Sequence, residues 1–450
     1  MASLPRANTR EVHRLLEHHR GAGWARLTQR WGRNFRYSGG VVTADPEITK
    51  QLLMQRPHTV ERATTHRHIQ RLVPGSAGIL FKDGEDWHRR LRALMPTFTR
   101  AHALRGLTDM HGQAQQWLAN EAATGRRGDD LFFDISALSQ RVVLAVGYNL
   151  DPDVACVREL GRALLEYKFW SLNSHPRARI DEFGWSLSKL ADVPWVVRHL
   201  RNLGHRFDRV RHAVQRVVHE RPWLDPERKG WVQNLLDDGF GLAELTHELN
   251  HLYGAYNAVD FALTAGLYEL FARPEWLAKV RAERTRHQPV LPSMLESMPA
   301  TRAVMQETLR LYPAAMVIFR RSGSTIHIDG EAVAPGTTFM IITAGLHQDR
   351  DLWANAETFD PTRWLPSAPP PPRFAYIPFL HGNRKCIGQH LAECVFMTVM
   401  GTLIDDYDLH CERADVRLSP FIIPRFDGPI PYRLSRRSDE DTRARGRATG

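Results

Sequence analysis

The segment that most constrains this chain is Phe379-Leu-His-Gly382-Asn-Arg384-Lys-Cys386-Ile-Gly388, followed at once by a helix-patterned run from Gln389 to Met400. A glycine on either side of Cys386 permits tight backbone where a side chain would collide with a flat ligand. Amides in such a turn, and the start of the helix behind it, favour a negative sulfur and are expected to lower the thiol pKa. Arg384, two residues before the cysteine, is placed to reach an anionic group on the same ligand. Whatever fold the chain adopts must hold a thiol open at a helix start.

That combination suits axial ligation of haem iron by a thiolate. A buried structural cysteine is the plainer meaning of a bare CxG, but here all five fixed positions of FxxGxRxCxG are present. The stretch resembles the haem-binding loop of the cytochrome P-450 family, soluble bacterial type, and the resemblance extends over about residues 41–434. It implies a mainly α fold with a small β region. Haem b (iron protoporphyrin IX) would lie between a long central helix and the cysteine-loop helix, with Cys386 as the iron ligand. It further implies a monooxygenase that inserts one oxygen atom of dioxygen into a small organic substrate. No nicotinamide or flavin fingerprint and no iron–sulfur cysteine set is present, so electrons are expected from an external ferredoxin or flavoprotein reductase.

The chain has 450 residues, 43% hydrophobic and 24% charged, as in soluble globular proteins. One domain is expected over residues 1–435, with 436–450 as a disordered basic tail. Residues 1–20 show neither the apolar core of a signal peptide nor a membrane-spanning stretch, so no membrane anchor and a cytoplasmic location are expected. Four scattered cysteines and no CxxC pair exclude a disulfide framework or a zinc ribbon. The formal charge of +10 suits an acidic redox partner through steering. No basic patch interleaved with aromatics points to nucleic acid.

Residues 9–30 are patterned as amphipathic helix, 35–44 as a hairpin, and Asp45-Pro46-Glu47 as a helix start. Residues 62–76 lack a period and are expected to form a loop; in the family that loop covers the distal side. Next comes Trp87-His88-Arg89-Arg90-Leu91-Arg92. The family carries a His or Trp here with an Arg four residues later, both facing a haem propionate. Counting from His88 gives Arg92, whereas counting from Trp87 gives Leu91. The resemblance therefore favours His88 and Arg92, with Trp87 as the alternate.

The most apolar long helix pattern spans residues 241–273, and two features compete in it. His247-Glu248-Leu-Asn-His251 matches HExxH, which on a helix can bind zinc with the glutamate as base. With 22 histidines in the chain, such a match arises readily by chance, and no third ligand follows at a familiar spacing. Zinc hydrolysis, like haem sensing without turnover, stays a remote alternative. The second feature is Gly254-Ala255-Tyr256-Asn257-Ala258, where the family has an [AG]Gx[DE]T pattern whose acid and alcohol deliver protons to dioxygen. Asn257 takes the acid's place and Ala258 the alcohol's, or Tyr256 and Asn257 one residue earlier. Neither register gives a carboxylate followed by a hydroxyl. Protons may thus come through a substrate hydroxyl and ordered water, a peroxide may be the oxidant, or the reaction may need no dioxygen scission; the first is the reading adopted. Asp260 is the nearest carboxylate, but no family pattern assigns it this role.

Pro299 opens a helix that contains Glu307-Thr-Leu-Arg310, whose Glu and Arg share a face. Upstream of Phe359-Asp-Pro-Thr-Arg363-Trp this matches the family's second signature, so Glu307, Arg310 and Arg363 are expected to brace the haem loop structurally. Residues 326–330 and 337–342 are patterned as strands. The resemblance places Arg320 on a propionate, with Arg321 the neighbour it could be confused with. Residues 421–424 and 429–434 are expected to pair as a hairpin.

Overall fold

A computed structural model describes residues 3–19, 23–54, 60–61, 74–123, 127–173, 194–285, 297–412, 416–419 and 425–437. The N-terminal region holds α1 (Thr9–His19) and α2 (Gly23–Trp31), then β1 (Asn34–Tyr37), β2 (Gly40–Thr43), α3 (Pro46–Met54) and β3 (Val60–Glu61). The expected hairpin forms in antiparallel register, turning through Ser38 and Gly39 at φ 45° and 84°, the left-handed pair that a tight hairpin turn requires. Asp45 caps α3 by accepting from the Glu47 and Ile48 amides at 2.9 and 3.0 Å.

The helical body follows: α4 (Gly84–Leu94), α5 (Arg100–Arg105), α6 (Leu107–Ala123), β4 (Arg127–Gly128), α7 (Leu131–Val146), α8 (Ala155–Asn173), α9 (Pro194–Glu220) and α10 (Trp231–Asp237). The pattern over 241–273 predicts one helix. The structure has two, α11 (Leu242–Ala255) and α12 (Asn257–Phe271), interrupted at Tyr256. Then come α13 (Pro274–Thr285), α14 (Pro299–Leu311), β5 (Val317–Ser322), β6 (Ile326–Ile328), β7 (Glu331–Val333), β8 (Thr338–Ile342), α15 (Thr343–His347), α16 (Gln389–Asp406), β9 (Tyr407–Cys411) and β10 (Tyr432–Arg436).

The five-stranded sheet has the order β1-β2-β8-β5-β3, and β4-β10-β9 form a second sheet. β10 pairs with β9, a strand that sequence reading missed. Phe421–Pro424, the expected hairpin partner, lies outside the described residues, as do 62–73 of the expected loop and 438–450 of the expected tail. Arg436, the first residue assigned to that tail, ends β10.

The large apolar core gathers α12 and α16 among the surrounding helices. Gly266 fixes their approach, because a Cβ there would sit 2.7 Å from the Phe396 ring on α16. The central helix is thereby drawn against the helix that follows the cysteine loop.

Candidate haem site

The cysteine loop is built from its glycine outward. Gly382 has φ +75°, and a Cβ there would lie 2.1 Å from the Leu53 carbonyl oxygen. Only glycine meets both demands. Gly388 differs: its Cβ would make ordinary contacts, 3.6 Å from Phe98 and 3.8 Å from Cys386 Sγ. The protein tolerates a side chain there; a flat group against the sulfur is what would not.

The Cys386 amide donates to Phe379 O at 2.7 Å, and Gly388 is the N-cap of α16. Cys386 keeps accessible surface, yet burial pushes its thiol pKa up, with the Gly388 amide pulling it down and the Glu393 charge adding to the rise. Both hold for a sulfur at the base of a recess. The expected lowering is thus overturned: desolvation outweighs the hydrogen bond, and a thiolate here needs a metal cation against it.

Behind the loop, Glu307 and Arg310 are wholly buried. Glu307 accepts from Arg310 Nε and Nη2 at 2.8 and 2.7 Å, Arg363 Nε at 3.3 Å, Trp364 Nε1 at 2.8 Å and the Asp360 amide at 2.8 Å. Arg310 also donates to the carbonyls of His347, Ala356 and Thr358 at 2.8, 2.6 and 3.0 Å. His347 passes the brace on, since its Nε2 accepts from the Ile377 amide at 2.9 Å, two residues before Phe379. Burial drives the His347 pKa down to about 3, helped by the Arg310 charge, so the ring is a neutral acceptor. The three expected residues are brought together; Trp364 and His347 complete the brace.

On the other flank, Arg384 donates to Lys82 O at 3.1 Å and Asp83 Oδ1 at 2.7 Å, and its guanidinium lies 3.9 Å over the Trp87 ring. Arg320 donates to Phe319 O at 2.9 Å. Its pKa is pulled down to about 10, by burial first and then by the Arg384 charge. Arg321 turns instead to Gly336 O at 3.0 Å. His88 is exposed, with Nδ1 2.8 Å from Gly84 O, and Arg92 is 66% exposed, donating to Glu85 at 2.8 Å. Trp87, not His88 or Arg92, is the residue that meets Arg384. Leu91 in the fourth place explains this: on α4 the Arg89 and Arg90 side chains run to Glu244 and Glu248 instead.

The HExxH residues do not form a metal centre. Glu248 is fully buried, pairs with Arg90 and accepts from the Ile79 amide at 3.0 Å. His247 packs on Phe207 at 4.8 Å and His251 on Phe81 at 5.6 Å. Among the described residues no group of three His, Cys, Asp or Glu could hold a metal ion. Nor is any described helix long and apolar enough to cross a membrane.

Asn257 and Asp260 are buried at the start of α12, and Ala258 is half-buried. Asn257 Oδ1 and Asp260 Oδ1 accept no hydrogen bond from protein, while Asp260 Oδ2 pairs with Lys168.

A family model described as cytochrome P450 matches residues 30–422. Curated relatives include the mitochondrial 25-hydroxyvitamin D-1 alpha hydroxylase of Rattus norvegicus, 24% identical over 91% of this chain and 86% of its own. Cyclooctatin synthase of Streptomyces melanosporofaciens is 26% identical over 76% of this chain and 74% of its own. A recessed cysteine at a helix start, its five-donor glutamate brace and this match agree: the chain belongs to the cytochrome P450 family, as a haem-thiolate monooxygenase.

Proposed function

We propose that this chain holds haem b through Cys386 Sγ, with Arg384 and Arg320 binding the propionates and Trp87 positioning Arg384. The observation that carries this reading is the Arg320–Arg384 pair. Two like charges share a buried region where the one carboxylate acting on either guanidinium is Asp83. Such a pair is costly without further anionic charge, and two propionates supply it. Gly388 leaves the sulfur's flank clear, so the residues present fit the group.

When bound, the haem supplies dioxygen activation, and a thiolate ligand favours scission of the O–O bond. The protein does the rest. Glu307, Arg310 and Arg363 lock the segment that carries the cysteine, so Sγ is fixed before the cofactor arrives. The Gly388 amide hydrogen-bonds the sulfur and tunes its basicity. The core packed around α12 keeps bulk water from the central helix. His88 and Arg92, exposed on α4, are assigned to the outer face and not to the propionates.

Electrons come from a separate ferredoxin or flavoprotein, drawn by the chain's positive charge, and the location is cytoplasmic. The substrate is a small organic molecule. The test is extraction of the pigment as its pyridine complex, with haem content measured for Arg384→Ala and Arg320→Ala. The reading expects haem b and reduced retention in both; full retention in both would remove the arginines from the site.

A further inference from the structure

Lys168 on α8 and Asp260 on α12 form an ion pair in which each side chain is only 2% exposed. Nothing in the cysteine brace or the arginine pair uses it. A buried pair of this kind is often replaceable by apolar residues without loss of stability, so its presence at the interruption of the central helix asks for a chemical reason.

Its surroundings are polar on one side and apolar on the other. Lys168 Nζ is 3.4 Å from Ser136 Oγ and lies over the Phe132, Phe169 and Tyr253 rings at 5.8, 5.4 and 5.6 Å. Gln140 on α7 donates to Tyr253 Oη at 2.9 Å, and the Tyr256 hydroxyl faces Ser139. Lys168 takes one carboxylate oxygen of Asp260. The other, Oδ1, has no protein donor, and neither has Asn257 Oδ1 three residues earlier. Residues three apart on a helix are neighbours. Two buried acceptors side by side call for a donor with two hydrogens, which a water provides.

We propose that Asp260, anchored by Lys168, is the proton-relaying carboxylate of this chain, acting through a water shared with Asn257. It stands one turn beyond the position where Asn257 replaces an acid. The overall step balances as R–H + O2 + 2 H+ + 2 e− → R–OH + H2O. The O–O bond breaks, one oxygen enters the C–H bond, and the other leaves as water with both protons. The electrons come from a one-electron carrier of the iron–sulfur or flavin class. Asp260 takes each proton from solvent and releases it to the shared water, ending unchanged. Asn257 Oδ1 holds that water but cannot itself carry a proton. Asp260 is therefore a positioning and relay residue, and Lys168 keeps its free oxygen directed at the water.

This rests on the haem-thiolate reading, and the test separates the two. Holoprotein is compared as wild type, D260N, D260E and the charge-neutral K168M/D260N. Three readouts are taken: apoprotein Tm, dioxygen-dependent NADPH oxidation through a surrogate ferredoxin and its reductase, and peroxide-driven oxidation of a phenolic dye. Peroxide brings its own protons. The proposal expects D260N to lower Tm by stranding Lys168, and K168M/D260N to restore it. Both should slow the dioxygen-dependent reaction by about tenfold or more and leave the peroxide reaction within about twofold, with D260E recovering most of the dioxygen rate. If K168M/D260N matches wild type with dioxygen, the pair is structural and the proposal fails. Equal losses in both assays also overturn it. Should the wild type show no peroxide reaction, the haem reading is what fails.

Discussion

Two buried carboxylates in this protein live in opposite circumstances. Glu307 receives five donors and braces the cysteine segment from behind. Asp260 receives one cation and leaves an oxygen open beside an equally open Asn257. A carboxylate with every lone pair taken is a structural pin, because moving it breaks several charge-assisted bonds together. One with a free oxygen in a dry setting is held ready to exchange a partner. The proximal half of the site is thus rigid by saturation, and the distal half is reactive by omission.

The largest effect tests the saturated side. Glu307→Gln strips the charge that Arg310 and Arg363 share, and urea titration should show a loss of about 3–5 kcal/mol together with haem that dissociates readily. A variant as stable as wild type would mean that the brace carries no load.

Next in size is the arginine flank. Arg384→Ala removes the guanidinium that stacks on Trp87, and haem retention measured by transfer to apomyoglobin should fall about 10- to 100-fold, as for a lost charge-assisted hydrogen bond. Retention unchanged from wild type would move the propionates elsewhere.

A third prediction concerns pH. His347 is neutral in the fold with a pKa of about 3, against 6.5 for the free side chain. The unfolded chain therefore binds a proton that the folded one refuses. Between pH 6.5 and about 3 this residue lowers stability by about 1.4 kcal/mol per unit as pH falls, and above 6.5 it has no effect. His347→Gln should flatten that part of the stability profile; an unaltered slope would show that other groups set it.

The smallest expected effect sharpens the choice on α4. Arg92→Ala loses an exposed pair with Glu85, so haem retention should stay within about twofold of wild type. A loss as large as that for Arg384→Ala would restore Arg92 to the propionates.

The same contrast explains what could be read from the residues alone. Cys386, Arg384 and the Glu307–Arg310–Arg363 set are fixed by short spacings on one loop or one helix, and those spacings survive translation into space. The α4 residues are not so fixed: whether Trp87 or His88 turns inward depends on the rotation of a helix whose neighbours, Glu244 and Glu248, lie far along the chain. The interruption at Tyr256 was hidden because its apolar pattern runs unbroken through residues 241–273. The Lys168–Asp260 pair could not be found by pattern either, since it joins two helices 92 positions apart. Predicting a lowered Cys386 pKa failed for a related reason: amide geometry is local, whereas burial is a property of the whole fold.

The claim on which the rest depends is that Cys386 Sγ is the iron ligand. It is tested most directly by the absorption spectrum of the reduced carbon monoxide complex of wild type and Cys386→Ser. The account predicts the long-wavelength band of thiolate-ligated haem in the wild type and its loss in the variant. An unchanged band in Cys386→Ser would contradict it, because some other sulfur would then hold the iron.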